Sequence, residues 1–160
     1  MESRINPFAL GQNAMKVMYG FATYLSKSSI EKNLLELIYL RVSQINGCAY
    51  CLDMHAKDLR AAGETEQRLY LLNAWRETDL YTERECAALA FAEAVTKLSN
   101  GHVPNEVYSA AAEQFTDTEM IELTMAVIAI NSYNRVNITF GVKGGSYVVG
   151  QHAAPATQAV

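Results

Sequence analysis

The apolar residues of this chain recur at helical spacing over almost its whole length. In the segment before residue 46, one stripe of the surface is mostly apolar and contains Leu34, Leu37, Ile38, Val42 and Ile45. Residues three and four positions apart share a face of an α-helix, so this spacing indicates an amphipathic helix. No run alternates convincingly between apolar and polar residues with a period of two. The predicted fold class is therefore all-α, without strands.

Capping residues and helix breakers predict where the helices begin and end. Three pairs have the Ser/Thr-x-x-Glu spacing of a capping box, which marks a helix start: Ser28–Glu31, Thr82–Glu85 and Thr116–Glu119. Asn6 before Pro7 predicts one more start, while Asn46-Gly47 and Gly63 predict helix ends. The predicted helices cover residues 7–26, 28–46, 48–62, 66–75, 82 to about 100, 104–115 and 120–136.

The chain is predicted to be one domain over residues 1–160, because 160 residues suffice for a single core and no linker divides them. The tail from Gly144 to residue 160 is rich in Gly, Ala, Pro and Gln. We expect this tail to be irregular or to pack on a neighbouring subunit.

Composition and charge restrict the classes of function. Half of the residues are apolar and 19% are charged, as in ordinary globular domains. The formal net charge of −4 argues against a nucleic-acid-binding protein, which would show a basic face. No apolar run is long enough to span a bilayer, and the N-terminal MESRINPFALGQ lacks the pattern of a signal peptide. We therefore expect a cytoplasmic protein without membrane or nucleic-acid partners.

The candidate chemistry lies in the stretch Cys48-Ala-Tyr-Cys51-Leu-Asp-Met-His55. On a helix, residues at i and i+3 are neighbours, and His55 follows Cys51 by four positions, so all three side chains share one face. Three cysteines in total are too few for a secreted disulfide scaffold. A close pair in a reducing compartment is typical of catalytic, redox-sensing or metal-binding sites.

Glu36 is expected to join this face through a helix hairpin. If the helices before and after Asn46-Gly47 fold back on each other, facing residues have numbers that sum to roughly 93, so Glu36 faces about position 57, within a turn of His55. A continuous helix would leave Glu36 about 18 Å from Cys48. The Asn-Gly turn favours the hairpin, and the four residues then form one proton relay.

The chemistry of these groups suggests their roles. Peroxides and disulfides react with a thiolate, so His55 is predicted to act as the base and Glu36 to orient it. One sulfur attacks, and the other resolves the sulfenic acid or mixed disulfide. The start of the helix favours Cys48 as the low-pKa sulfur, whereas proximity to His55 favours Cys51. Of the two, we favour Cys51 as the sulfur that attacks the peroxide.

These residues resemble a known family. Glu36, eleven intervening residues, and then Cys-x-x-Cys-x-x-x-His match the signature of alkylhydroperoxidase D-like (AhpD-like) proteins of the carboxymuconolactone decarboxylase superfamily. The similarity covers roughly residues 30–140, which we take as the core, and it includes the words RVSQINGCAYCLDMHAKDLRAAGE and NSYNRVN. The best-known members carry a second His immediately before the second Cys, where this chain has Tyr50. Tyr50 can still donate a hydrogen bond, so we count it as a supporting residue.

The resemblance implies an all-helical fold and a weak peroxidase that reduces hydroperoxides while Cys48 and Cys51 cycle between dithiol and disulfide. It implies no cofactor beyond that disulfide and an external thiol reductant, either a lipoyl-bearing or a thioredoxin-like partner. It also implies a homotrimer or homohexamer.

Other functions remain open at this point. The pair could serve a general thiol–disulfide oxidoreductase, or a redox-responsive oligomer with little peroxidase activity. Two thiolates, an imidazole and a carboxylate are also acceptable zinc ligands, and a carboxymuconolactone decarboxylase-type reaction is a further alternative. Outside the motif, we expect Cys86 to belong to the core and His152 to the tail.

Overall fold

The chain folds into packed α-helices in a computed structural model that describes residues 4–152. The helices are α1 (Pro7–Leu10), α2 (Gln12–Leu25), α3 (Lys32–Asn46), α4 (Ala49–Ala61), α5 (Glu66–Leu71), α6 (Glu83–Lys97), α7 (Asn105–Ala112) and α8 (Asp117–Phe140). Two 3₁₀ turns, Leu72–Glu77 and Ser99–Gly101, follow α5 and α6. None of the described residues lies in a β-strand, and the all-α prediction is confirmed.

Two of the three predicted capping boxes begin helices as expected. At the start of α6, Thr82 Oγ1 accepts the Glu85 N–H at 3.2 Å, and the Glu85 carboxylate accepts the Thr82 N–H at 2.8 Å. Thr116 and Glu119 make the same pair of bonds at the start of α8. Each box satisfies backbone donors that a helix start would otherwise leave unpaired.

The third predicted box, Ser28 with Glu31, is wrong. Helix α3 begins at Lys32, and no side chain caps it. Ser28 Oγ instead donates to Glu122 Oε2 at 2.9 Å, and the Glu31 carboxylate pairs with Arg84 at 3.1 Å. Ser28 therefore bonds a buried carboxylate of α8, and local spacing does not reveal such a distant partner.

The predicted helix over residues 7–26 is divided at Gly11. Asn6 caps its start, as expected, by accepting the N–H groups of Phe8 and Ala9 at 3.0 and 3.2 Å. The backbone then leaves the helix at Gly11, which has φ −102° and ψ 27°. A Cβ at this position would lie 2.7 Å from the Pro7 carbonyl oxygen, so the turn requires glycine.

Three later helices also differ in length from the prediction. The helix predicted over 66–75 ends at Leu71 and tightens into a 3₁₀ turn, where Ala74 has the non-helical φ of −119°. Helix α7 ends at Ala112 instead of 115, because the chain must become extended at Thr116 to cap α8. Helix α8 runs past 136 until Gly141, whose φ of 67° ends it.

Helix α3 lies at the centre of the fold. Its buried side chains point to several sides and contribute to both hydrophobic clusters: Leu34, Leu35, Ile38 and Val42 join one cluster with α6 and α8, while Leu37 and Leu40 join the other. At its end, Gly47 has φ 69° and reverses the chain into α4. The predicted antiparallel hairpin of α3 and α4 is therefore confirmed.

The described part of the tail, residues 144–152, is irregular and packs on α4 of its own chain. The backbone N–H groups of Gly145 and Tyr147 donate to Asp53 Oδ2 at 2.8 and 3.2 Å. Lys57 Nζ donates to the Tyr147 carbonyl at 2.8 Å. Residues 153–160, which the tail prediction also covers, lie outside the described residues. Among the described helices, none is both long and apolar enough to cross a membrane.

Candidate active site

The two cysteines of the motif lie at the first turn of α4. Cys48 is the residue that precedes the helix, and Cys51 is in its first turn. Their sulfurs are joined as a disulfide, with a Cα–Cα distance of 5.4 Å. Both residues are only 1% exposed. The structure therefore holds the pair in its oxidised form inside the protein.

The hairpin brings Glu36 on α3 against His55 on α4. Glu36 Oε2 lies 2.7 Å from His55 Nδ1, close to where the turn argument placed it. The side chains are 19% and 7% exposed, so the pair is largely removed from solvent. The hydrogen bond assigns the proton of the neutral imidazole to Nδ1, because a carboxylate can only accept. His55 Nε2 has no hydrogen-bond partner among the described residues, and its lone pair is available as a base.

A largely apolar cavity of about 540 Å³ lies beside this pair. Its walls carry five aromatic residues: Phe8, Tyr19, Tyr39, Tyr50 and Tyr133. Its polar lining comes from Glu36, Cys51, His55, Asn137 and His152. Cys51 contributes to this lining, whereas Cys48 does not. The cavity therefore brings one sulfur of the disulfide, the imidazole and the carboxylate to a common wall.

Tyr39 packs against the imidazole from the α3 side. Its ring centroid lies 5.2 Å from that of His55. Burial raises the pKa of Tyr39 far above its usual value, and the nearby Glu36 carboxylate raises it further. Tyr39 thus stays protonated at any physiological pH and acts as an uncharged wall of the cavity.

Tyr50, the residue at which this chain departs from the best-known members of the resembling family, pairs with the tail. Its hydroxyl lies 2.7 Å from His152 Nε2, and the His152 ring stacks on Tyr147 at 5.8 Å between centroids. Burial raises the pKa of Tyr50, with smaller contributions from Asp53 and Asp58. A second imidazole therefore stands at the cavity, but it comes from the tail.

Two residues of this site were not predicted as site residues. His152 lies in the tail, as expected, but the fold of residues 144–152 places it in the cavity wall. Asn137 ends the stretch NSYNRVN, which is part of the resemblance but is not a predicted site; its Nδ2 lies 3.3 Å from Cys51 Sγ. The sequence carries a signal for Asn137, because Asn131, Asn134 and Asn137 recur at intervals of three. This spacing predicts an amide stripe on one helix face.

The third cysteine lies away from the site. Cys86 on α6 is a free, partly buried thiol that packs against the second hydrophobic cluster. Burial raises the pKa of its thiol, so it is protonated and unreactive near neutral pH. Within residues 4–152, no group of three or more His, Cys, Asp or Glu side chains is placed to hold a metal ion.

Comparison with known proteins identifies the family. The model of the carboxymuconolactone decarboxylase family matches residues 12–94. The uncharacterized protein YdfG of Bacillus subtilis is 40% identical over 146 residues, which cover 91% of this chain and 99% of that protein.

Solved structures show the same fold. A protein of unknown function from Agrobacterium tumefaciens, whose name associates it with the antioxidant defence protein AhpD, is 36% identical with a TM-score of 0.87. This match covers 91% of this chain and all of that one. The debrominase Bmp8 shares only the fold, at 22% identity and a TM-score of 0.74 over 85% of this chain and 74% of its own. The chain thus has the AhpD-like helical fold and belongs to the carboxymuconolactone decarboxylase family, a family of enzymes.

Proposed function

We propose that this protein is a peroxidase that reduces hydroperoxides through the Cys48–Cys51 dithiol, assisted by Glu36 and His55. One observation carries the proposal: Cys51, His55 and Glu36 share the wall of a single apolar cavity. A sulfur nucleophile, a base and a group that orients the base are the components of an activated thiol. The cavity gives a small substrate a place beside them.

In the first step, the reduced protein reacts with the hydroperoxide. His55 Nε2 takes the proton of the Cys51 thiol, and Glu36 on Nδ1 holds the ring in place. The thiolate attacks the distal oxygen of ROOH, so an S–O bond forms and the O–O bond breaks. The alkoxide leaves and takes the proton from His55, which gives ROH and a sulfenic acid on Cys51.

In the second step, Cys48 resolves the sulfenic acid. The Cys48 sulfur attacks Cys51 Sγ, the S–O bond breaks, and the leaving hydroxide takes the proton of the Cys48 thiol to form water. The product is the disulfide that the structure contains. An external dithiol must then supply two electrons and two protons to restore the reduced pair.

The cavity favours an organic hydroperoxide over hydrogen peroxide as the substrate. Its volume of about 540 Å³ is far larger than hydrogen peroxide requires, and its walls are mainly aromatic and aliphatic. Among residues 4–152, no Lys or Arg side chain lines it, while the Glu36 carboxylate does. A neutral, bulky alkyl or aromatic hydroperoxide fits such a wall better than an anionic one.

The burial of both sulfurs restricts the shape of the reductant that can reach them. At 1% exposure, neither Cys48 nor Cys51 can be touched by the surface of a folded thioredoxin-like domain. A slender arm such as a lipoyl group could enter the cavity and reach Cys51, so we propose a lipoyl-bearing reductant. The cytoplasm, where thiols are kept reduced, is the compartment that we propose for the cycle.

We also propose that the protein assembles as a homotrimer or homohexamer. Ile121 and Ile128 on α8 are 61% and 41% exposed and lie seven residues apart, on one face of the helix. Exposed apolar residues aligned on a helix are typical of subunit contacts. Light scattering of the reduced and the oxidised protein measures the assembly, and a difference between the two forms would support the redox-responsive alternative.

The proposed function is tested by counting thiols. Reduced wild-type protein should lose two thiols after one equivalent of cumene hydroperoxide, with Cys86 still free, and should turn over with a dithiol reductant. Cys51→Ser and Cys48→Ser should abolish turnover, and His55→Ala should reduce it about 10²-fold or more. Glu36→Gln should reduce it less, because it only orients the base.

Other results would favour the alternatives. Full turnover in the double Cys→Ser variant would exclude the proposed mechanism. A dithiol that is oxidised by disulfides but not by hydroperoxides would instead indicate a thiol–disulfide oxidoreductase. Cys86→Ser is the matched control, because it removes a thiol outside the cavity and should retain full turnover.

A further inference from the structure

The side chain of Asn137 occupies an unusual position on α8. Asn137 is 4% exposed and lines the cavity beside Cys51. Its Nδ2 donates to Cys51 Sγ at 3.3 Å. Its Oδ1 is buried and has no hydrogen-bond partner within the described chain. The Asn137 amide therefore uses its hydrogen-bond donor to bind the Cys51 sulfur.

The two other amides of α8 show what a structural asparagine does in this protein. Both use their two ends to tie α8 to its surroundings: Asn131 bonds Thr96 and Asn46, and Asn134 bonds Ser43 and Asn46. A buried amide whose oxygen stays unpaired destabilises a fold, and proteins keep such groups mainly at functional sites. Asn137 differs from Asn131 and Asn134 because its side-chain oxygen is unpaired. Its N–H contacts Cys51 Sγ, which is a reacting atom of the proposed cycle.

We propose that Asn137 is a further catalytic residue, whose amide N–H holds Cys51 as the reactive thiolate during hydroperoxide reduction. This assignment rests on the proposed peroxidase cycle for its catalytic role. A hydrogen bond to the charged form of a group favours that form, and bonds to ions are stronger than bonds between neutral groups. The Asn137 donor reaches the sulfur of Cys51, which lines the cavity, whereas Cys48 does not line it. The contact therefore distinguishes the two sulfurs and assigns the thiolate to Cys51.

The unpaired end of the same amide complements this role. When the Cys51 thiolate attacks ROOH, the distal oxygen still carries its hydrogen, which becomes the hydrogen of the sulfenic acid. Asn137 Oδ1 is an acceptor on the same amide as the N–H that bonds Cys51 Sγ, and it can accept that O–H. The amide would then bond the nucleophile through Nδ2 and the oxygen under attack through Oδ1, without itself gaining or losing a proton.

The test measures the Cys51 thiol without any hydroperoxide. In a Cys48→Ser background, the rate of iodoacetamide alkylation of Cys51 is followed against pH, with Cys86 as internal reference in the same sample. Asn137→Leu, which keeps the branched shape of the side chain and removes the donor, should raise the pKa of Cys51 by about one pH unit. Asn137→Asp should raise it further, because a carboxylate repels the thiolate. The Cys86 profile should not move.

A matched control separates this role from a structural one. Asn134→Leu removes a buried amide three residues away and should lower Tm while leaving the pKa of Cys51 unchanged. Asn137→Leu should keep or raise Tm, because it removes an unpaired buried oxygen. If Asn137→Leu does not fold, Asn137→Ala removes the same donor at smaller volume and decides the question.

Failure of this proposal and failure of the proposed function give different results. An unchanged or lowered pKa of Cys51 in the Asn137 variants would overturn the assignment, whatever the turnover. With the Cys48 background restored, a pKa rise of one unit should slow turnover at pH 7 by up to about tenfold. A raised pKa in a protein whose wild type has no turnover would support the thiolate contact and reject the peroxidase function.

Discussion

At the scale of single residues, the two sulfurs of the disulfide have different surroundings. Cys51 lines the cavity with His55 and accepts a hydrogen bond from Asn137. Cys48 does not line the cavity, and it is the residue that immediately precedes α4. The helix start would favour a Cys48 thiolate through the helix dipole, but a substrate in the cavity meets Cys51 first. We therefore propose Cys51 as the sulfur that attacks the substrate.

This asymmetry predicts which cysteine forms the sulfenic acid. Cys48→Ser should accumulate a sulfenic acid on Cys51 after one equivalent of cumene hydroperoxide, because no resolving thiol remains. Cys51→Ser should form little or none on Cys48. Dimedone labelling followed by fragmentation of the peptide 42–57 measures both variants. Stronger labelling of Cys48 than of Cys51 would reverse the assigned roles.

The contact between Glu36 and His55 could be predicted from sequence, because the spacing of the two residues around the turn carries geometric information. The turn at Gly47 fixes which residue of α3 faces His55, so counting back from it finds Glu36. Asn137 and His152 could not be found in this way. Asn137 contacts Cys51 across 86 residues of sequence, and His152 contacts Tyr50 across 102. No local sequence pattern encodes contacts at such separations.

At the scale of helices, local sequence predicts an element where the interactions that define it are local. The capping boxes at Thr82 and Thr116 close within one turn, and both were predicted. Ser28 has the same spacing, yet its hydroxyl bonds Glu122, 94 residues away. A local rule therefore fails where a buried carboxylate offers a better partner, and such a partner is visible only in the packed fold.

The left-handed backbone of Gly47 at the hairpin turn predicts the effect of replacing it on stability, and Gly20 serves as the matched control. Gly47 has φ 69° and open space around it, so Gly47→Ala meets no clash but must hold a left-handed backbone. It should lower the free energy of unfolding by about 1 kcal/mol. Gly20 lies within α2 with equally open space, so Gly20→Ala should stabilise by about 0.5–1 kcal/mol. Urea unfolding measures both. Equal signs would contradict the turn argument.

At the scale of the whole molecule, a buried charge network ties α3, α6 and the turn after α5 together. The Glu93 carboxylate accepts from Arg41 at 2.7 Å, from Arg76 at 2.7 Å and from Trp75 Nε1 at 3.0 Å. Burial opposes its ionised form, but hydrogen bonds from Trp75, Arg76 and Arg41 outweigh that effect and hold the pKa of Glu93 below its usual value. The network lies away from the cavity and supports the helix that carries Glu36.

The depressed pKa of Glu93 fixes the direction of the pH dependence of stability. The unfolded chain binds a proton at Glu93 near pH 4.5, whereas the folded chain does so only at lower pH. The stabilisation is therefore complete above about pH 4.5 and is lost as the pH falls through the folded pKa. The free energy of unfolding should be nearly flat from pH 7 to 5 and should then decline.

Glu93→Gln tests this dependence directly. It should lower the free energy of unfolding at pH 7 by about 3 kcal/mol, because Arg41 is left buried without its partner. It should also make the decline below pH 4.5 shallower, because one of the groups responsible for it is gone. Glu113→Gln, at an exposed carboxylate, should change neither quantity by more than about 0.5 kcal/mol. Urea unfolding at pH 7, 5, 4 and 3 measures both variants. An acid decline as steep in Glu93→Gln as in the wild type would show that other carboxylates govern it.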